Sequence, residues 1–378
     1  MNSWDVFCRV VDNYGDIGVC WRLARQLVAE HRMRVRLWVD DLVAFRRICP
    51  EVDPARGDQV CRGVTVRRWT DALPAVAPAD VVVEAFACTL PESYLQAMAA
   101  RLVKPCWINL EYLSAEHWVE ECHGLASPSP RLPLTKHFFF PGFNERTGGV
   151  LREHDLESRR RAFVQDQEER AAFWQRLGLP LPAWNEKRLS LFCYPHGRAE
   201  DLFSLWQEQA ERTTCLVPEG IAGPAIGAFF GQTRAESGRV FHRGSLEVRI
   251  LPFLEQDEYD CLLWACDCNF VRGEDSFVRG QWARQPMVWQ PYAQGEGAHL
   301  HKMEAFLDRY CAGLDSQAAQ ALISLWRAWS QGETVAEAWP AFRMQWGELE
   351  RHVARWAEEL AGAGDLAQKL VRFSLNRL

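Results

Sequence analysis

The apolar positions of this chain fall into two series of short runs, each bounded by turn residues and followed by a stretch with helical spacing. The first run, residues 4–11, ends at Asp12-Asn13-Tyr14-Gly15-Asp16, and residues 18–30 then carry Val19, Leu23, Leu27 and Val28 on one helix face. Further β-rich runs lie at 35–39, closed by Asp40-Asp41, and at 64–66, 80–84 and 105–110, with Leu90-Pro91-Glu92-Ser93 opening a helix. Short strands alternating with helices predict a parallel sheet covered on both faces.

The middle of the chain changes character. Ser127-Pro128-Ser129-Pro130 and Pro141-Gly142-Phe143 interrupt regular structure, residues 152–176 read as a charged helical stretch, and Leu177-Gly178-Leu179-Pro180 breaks it. A second series follows, with strands at 188–194, 213–217, 248–254, 268–271 and 286–290 and helices at 200–209 and 276–283. From residue 316 the pattern is helical to the end, including 349–360 and 365–373. The expected fold is α/β with two Rossmann-like domains, one over 1–150 and one over 186–345, joined by a connecting helical segment over 151–185. Helices over 346–378 are expected to pack back on the first domain. Ligands of such sheets bind outside the carboxyl ends of the strands, which makes the cleft between the domains the expected site.

Composition narrows the function classes. A length of 378 residues suits two domains, and 48% hydrophobic with 25% charged residues is an ordinary soluble balance. A formal net charge of -7 argues against a general binder of nucleic acid or anionic membrane. No apolar run approaches the ~20 residues that span a bilayer, and residues 1–5 do not resemble a signal peptide, so a soluble, cytoplasmic protein is expected. The thirteen cysteines are scattered; Cys8, Cys20, Cys49, Cys61 and Cys88 mostly sit inside apolar runs, as small hydrophobes do. Cys261, Cys266 and Cys268 cluster but lack further ligands at zinc-finger spacing, so no metal site is expected.

Two strand-to-helix turns carry candidate chemistry. In the first, Asp12 and Asp16 straddle a turn that Gly15 and Gly18 permit. It is not the G-x-G-x-x-G fingerprint, and two carboxylates would repel a pyrophosphate, so a dinucleotide is not expected there. One carboxylate could serve as general base while the other orients a cationic or hydroxyl acceptor. Helix capping explains one aspartate equally well, and spacing alone leaves the two readings level. In the second turn, Arg272-Gly273-Glu274-Asp275-Ser276 follows a strand and opens a helix, whose first N–H groups suit an anion. Arg272 could add charge-assisted bonds to a diphosphate, and a carboxylate could bind sugar hydroxyls; Glu274 and Asp275 could instead simply complement the helix dipole. Phe192, Tyr194, Phe253 with Gln256, and Tyr292 follow at other strand ends of this half, where an aromatic could hold a base.

These motifs carry a family resemblance. Residues 4–8 leading into Val10-Val11-Asp12-Asn13-Tyr14-Gly15-Asp16-Ile17-Gly18-Val19, and Arg272-Gly273-Glu274-Asp275-Ser276-Phe277-Val278-Arg279, resemble the protein-arginine rhamnosyltransferases that modify elongation factor P in bacteria. Asn109-Leu110-Glu111-Tyr112-Leu113-Ser114 and Phe139-Phe140-Pro141-Gly142-Phe143 fit the same family. The resemblance implies a metal-independent GT-B type glycosyltransferase without a cofactor. It would transfer rhamnose from the co-substrate dTDP-β-L-rhamnose to an arginine of elongation factor P, with inversion, activating that factor for rescue of ribosomes stalled at polyproline. It further implies that Asp12, Asp16 and Glu274 are catalytic. Tyr14, Gly15, Phe192, Tyr194, Phe253, Gln256, Arg272, Gly273, Asp275, Ser276 and Tyr292 would contact the donor. The expected partners are elongation factor P and the donor, with no nucleic acid and no membrane. Two rivals stand beside this: a nucleotide-sugar transferase or epimerase with another acceptor, and a non-catalytic protein that binds elongation factor P.

Overall fold

The computed structural model describes residues 2–12, 14–70, 73, 75–231 and 236–377; Asn13 of the first motif lies outside the described residues. The chain divides into two compact units, one comprising Met1–His154 with Glu359–Leu378 and the other Asp155–Glu358. Both are wound in the same way.

In the first unit the strands are β1 (Ser3–Cys8), β2 (Arg34–Val39), β3 (Asp58–Cys61), β4 (Val64–Arg68), β5 (Val81–Ala85), β6 (Cys106–Leu110), β7 (Ala126–Pro128) and β8 (Thr135–Phe139). Among the described residues they lie in the order β3-β4-β2-β1-β5-β6-β8-β7, parallel except for the antiparallel edge pairs β3/β4 and β7/β8. The chain fills one side of β1 first and the other side afterwards. The carboxyl end of β1 is therefore a topological switch point, where successive crossovers depart in opposite directions and leave a crevice. The proline-containing residues 126–128, expected as a break, form a three-residue edge strand, a position that tolerates proline because one side of the strand needs no ladder bonds.

Two side-chain networks hold this sheet. The Asp5 carboxylate, fully buried, accepts from Arg36 Nε (2.6 Å), Arg36 Nη2 (2.5 Å), Trp38 Nε1 (2.8 Å), the Ala79 amide (2.9 Å) and the Tyr94 hydroxyl. A buried charge is tolerable only with this degree of satisfaction. At the carboxyl side, Phe7 stacks on Trp38 at 5.4 Å within a cluster that includes Trp69, Tyr94, Met98 and Trp107. The terminal residues close on the same unit: Gln26 Nε2 lies 2.9 Å from the Arg152 carbonyl and 3.1 Å from Asp365 Oδ2, and Asp365 caps the helix Leu366–Leu375.

In the second unit the strands are β9 (Glu186–Leu191), β10 (Arg212–Pro218), β11 (Val240–Arg243), β12 (Leu246–Leu251), β13 (Cys268–Arg272) and β14 (Met287–Gln290). Among the described residues their order is β11-β12-β10-β9-β13-β14, with β9 as the reversal strand and only β11 antiparallel. Residues 152–176, expected as one helical stretch, form Leu156–Gln165 and Gln167–Arg176. Asp166 separates them because its carboxylate accepts from the Glu168 and Glu169 amides and starts the second helix. The helix Asp275–Ala283 is anchored by Arg279, whose guanidinium makes a buried bidentate pair with Asp260 (2.9 and 2.6 Å) on the helix Gln256–Ala265. No helix among the described residues is long and apolar enough to cross a membrane.

One charge network gives a stability prediction with a defined pH window. Asp80 joins the start of β1 to β5, accepting from the Ser3 amide and hydroxyl (both 2.9 Å) and from Arg101 (2.9 Å). Burial alone would raise this carboxyl, but those hydrogen bonds outweigh it and hold it down to about 2. A depressed carboxylate contributes stability above its unfolded value, lost as the pH falls through the folded one. Because the group is one-third exposed, water screens it. Asp80→Asn is therefore expected to cost about 1 kcal/mol at pH 7 in urea denaturation, the gap narrowing as pH falls from about 4 towards 2. A gap independent of pH would assign the effect to packing rather than charge.

Candidate functional site

The first candidate site is the β1 switch point. Residues 4–11 were expected to be strand throughout, but β1 stops at Cys8. The reason is visible in the hydrogen bonds. The Val10 amide is taken by Asp40 Oδ1 (2.9 Å), and the Val11 and Asp12 amides are both taken by Asp16 Oδ2 (2.8 and 2.9 Å). With these donors diverted to side chains, the segment leaves the sheet and turns into the helix Gly15–Ala29. The helix N-cap is Tyr14, without a side-chain capping bond, so neither aspartate is the N-cap residue. Asp16, in the first turn, instead reaches back to hold the loop that presents Asp12.

Both carboxylates are buried, Asp16 at 2% and Asp12 at 8% exposure. Burial pushes the Asp16 carboxyl above the usual range, although the Asp12 and Val11 amides and the Tyr112 hydroxyl pull it down; Asp40 adds a small upward push. The net rise leaves a better proton acceptor than a solvated aspartate. Gly15 is needed here for space: a Cβ at this position would sit 2.6 Å from Asp12 Oδ2.

The second candidate site is the β9/β13 switch point. Residues 188–194 were expected as a strand, but β9 ends at Leu191. Phe192 still donates to the Phe270 carbonyl (3.0 Å), whereas the Tyr194 amide donates to Gln290 Oε1 (2.7 Å) from the end of β14. The side chains of Phe192 and Tyr194 hold Arg272. Its guanidinium carbon lies 4.3 Å from the Phe192 ring centroid and 4.5 Å from that of Tyr194, and Nη1 donates to the Cys193 carbonyl (2.9 Å). Clamped in this way, a planar cation with five N–H donors keeps others available for an anion.

The turn beyond Arg272 is built by its own residues. Gly273 takes a positive φ of 60°, its amide donates to the Gln290 carbonyl (3.1 Å), and its carbonyl accepts from Trp289 Nε1 (2.7 Å). Ser276 Oγ accepts the Arg272 amide (3.0 Å) and donates to the Arg272 carbonyl, so this hydroxyl shapes the turn. Glu274 is the N-cap of Asp275–Ala283 but makes no side-chain capping bond. Asp275 accepts from Gln256 Nε2 (3.2 Å), which brings together two residues singled out separately in the sequence. Tyr292, 39% exposed, meets Tyr194 edge to face at 5.7 Å. Phe253 is half-buried in the segment between β12 and the helix that begins at Gln256. Among the described residues no group of three or more His, Cys, Asp or Glu side chains is arranged to hold a metal ion.

Gln290, and Phe86, whose ring stacks on Tyr112 with centroids 4.6 Å apart, are candidates that the sequence analysis does not single out. A buried glutamine closing a predicted strand was a usable signal for Gln290. Nothing in the sequence marks Phe86, because its left-handed backbone (φ 57°) is rare outside glycine.

Two Rossmann-like sheets, one with paired carboxylates at its switch point and the other with a clamped arginine beside a helix N-terminus, define a twin-domain, GT-B type glycosyltransferase. Residues 4–375 match the family model described as elongation factor P (EF-P) rhamnosyltransferase EarP. The protein-arginine rhamnosyltransferase of Pseudomonas putida is 51% identical over 376 residues, covering 100% of this chain and 99% of its own. That of Pseudomonas aeruginosa is 48% identical over 373 residues, covering 99% of each. A solved structure described as the basis for EarP-mediated arginine glycosylation of translation elongation factor EF-P aligns with a TM-score of 0.72 at 36% identity, over 100% of both chains. The chain belongs to the EarP family of elongation factor P rhamnosyltransferases.

Gly15 provides a local test. Gly15→Ala is expected to displace the Asp12 carboxylate and lower turnover about tenfold or more, while the thermal midpoint moves by only a few degrees. Wild-type turnover in this variant would show that the position of Asp12 is unimportant.

Proposed function

We propose that the first unit activates an arginine of elongation factor P while the second binds dTDP-β-L-rhamnose, with Asp16 as base, Asp12 as orienting carboxylate and Glu274 acting on the bound sugar. The observation that carries this reading is the pairing of Asp12 and Asp16 at the β1 switch point, with Asp16 buried and its carboxyl raised. A guanidinium is protonated at pH 7 and a poor nucleophile. Two carboxylates can bind it through charge-assisted bonds and draw its positive charge away from one nitrogen. That nitrogen attacks the anomeric carbon of rhamnose, the bond from this carbon to the diphosphate oxygen breaks, and the nitrogen's proton passes to Asp16. Attack opposite the leaving group inverts the anomeric centre.

At the donor, Arg272 and the first amides of the helix Asp275–Ala283 would meet the charge that develops on the departing diphosphate. Phe192 and Tyr194 hold that arginine; Phe253, Gln256 and Tyr292 are the candidates for the base, and Asp275 for fixing Gln256. Tyr14, Gly15 and Gly273 would let the donor approach the backbone. Ser276 would act by holding the turn rather than by touching the ligand. Activity in the cytoplasm, on the factor that relieves stalling at polyproline, follows from the same reading.

The test is incubation with dTDP-β-L-rhamnose and elongation factor P, followed by mass spectrometry of the arginine peptides. A rhamnose adduct on one arginine is expected with the native chain. Asp16→Asn and Glu274→Gln should each reduce the rate by about three orders of magnitude or more. Donor hydrolysis or epimerisation without an adduct would favour another acceptor, and full cellular function of both variants would favour a non-catalytic binder.

A further inference from the structure

The motif Asn109-Leu110-Glu111-Tyr112-Leu113-Ser114 has no role in the scheme above, yet it supplies the one side chain outside the β1 loop that donates a hydrogen bond to Asp16 among the described residues. In the sheet register Ala85 at the end of β5 lies beside Leu110 at the end of β6, so the residues beyond each strand leave the sheet together. Phe86 and Ala87 then take left-handed backbone conformations, with φ of 57° and 54°. Two successive non-glycine residues in this region are sterically costly and persist only where the surroundings determine them. Here the Phe86 amide donates to the Leu110 carbonyl (2.7 Å), and the Phe86 ring stacks on Tyr112 with centroids 4.6 Å apart and planes 22° from parallel. Tyr112 in turn hydrogen-bonds Asp16.

We propose that Tyr112 is a positioning residue: seated against Phe86, its hydroxyl fixes the Asp16 carboxylate in the rotamer from which it receives the arginine proton. The proposal rests on the reading of Asp16 as base. A carboxylate has about four lone-pair directions, and the amides of Val11 and Asp12 with the Tyr112 hydroxyl use three, which leaves one for the acceptor. The hydroxyl also opposes the effect of burial, keeping more of Asp16 ionised at neutral pH. The other titratable groups around Asp16 are Asp12 on its own loop, Cys8 on β1 with Cys20 on the following helix, and Asp40 at the end of β2, itself 3.8 Å from Arg9. Asp40 pushes Asp16 upward, so Tyr112 is the neutral group that counters it from across the sheet.

The sign of the effect is fixed by these contacts. Turnover needs ionised Asp16 and rises with pH through its titration. Loss of the Tyr112 hydroxyl removes a stabiliser of the charged form, so the acid limb of kcat must move to higher pH. In Tyr112→Phe the limb is expected to shift up by about half a pH unit or more, with kcat at pH 7 reduced several-fold. KM for dTDP-β-L-rhamnose and the thermal midpoint should stay close to native. Phe86→Tyr, which retains a ring for the stack, should behave as native, whereas Phe86→Leu should reproduce the shifted limb. If Asp16→Asn abolishes turnover and Tyr112→Phe titrates as the native enzyme, Asp16 remains the base and the positioning role of Tyr112 is wrong. If Asp16→Asn retains turnover, the base assignment falls and the proposal with it.

Discussion

A parallel sheet that winds outward from its middle strand, first to one side and then to the other, leaves one position open at its carboxyl edge. The two crossovers leave that strand in opposite directions, and neither covers its end. This constraint acts at β1 and β9 of this chain, the strands flanked by β2 and β5 and by β10 and β13. The residues with candidate chemistry lie at or just beyond the carboxyl ends of parallel strands, β1 and β6 in the first sheet and β9, β12, β13 and β14 in the second. The cores beneath, from the Asp5 network to the Arg279–Asp260 pair, keep those strand ends in place.

Each switch point holds a charged group that burial alone would disfavour. Asp16 is buried and keeps its place because backbone amides and a tyrosine hydroxyl bond its carboxylate. Arg272 is buried between two rings and tied to a carbonyl. Neither is neutralised by a directly opposed charge in these contacts, which matters for a transferase. A carboxylate already paired with a cation would bind an arginine poorly, and an arginine already paired with a carboxylate would do little for a diphosphate. Hydrogen bonds and aromatic faces stabilise each charge while leaving it able to meet a substrate of opposite sign.

Much of the fold could be read from the chain because parallel strands buried on both faces are apolar throughout and their helices show a separate period. The limits of that reading have physical causes. The run at 4–11 reads as strand to its end, but β1 stops at Cys8 because Asp16 and Asp40 take the next amides, an exchange that hydropathy does not record. The run at 188–194 likewise reads as strand, although Phe192 and Tyr194 leave it to enclose Arg272, about eighty positions later. Edge strands β3, β7 and β11, and β8 next to the edge, carry little apolar signal because they are short and half-exposed, and the sequence pattern does not show them. The motif residues themselves were legible as turns with carboxylates or an arginine. Their division of labour was not: Gly15 makes room for Asp12, Ser276 closes its own turn, and Gln290 completes the clamp through contacts that arise only on folding.

In the proposed scheme recognition of the nucleotide belongs to the β9/β13 switch point, and the β1 carboxylates serve the acceptor and the proton. Calorimetric titration of dTDP into the full chain tests this most directly. Arg272→Ala should weaken binding at least tenfold, because it removes the clamped cation, while Asp12→Asn and Asp16→Asn should bind dTDP within about twofold of the native chain. Strong loss of dTDP binding in the aspartate variants, or native affinity in Arg272→Ala, would contradict it.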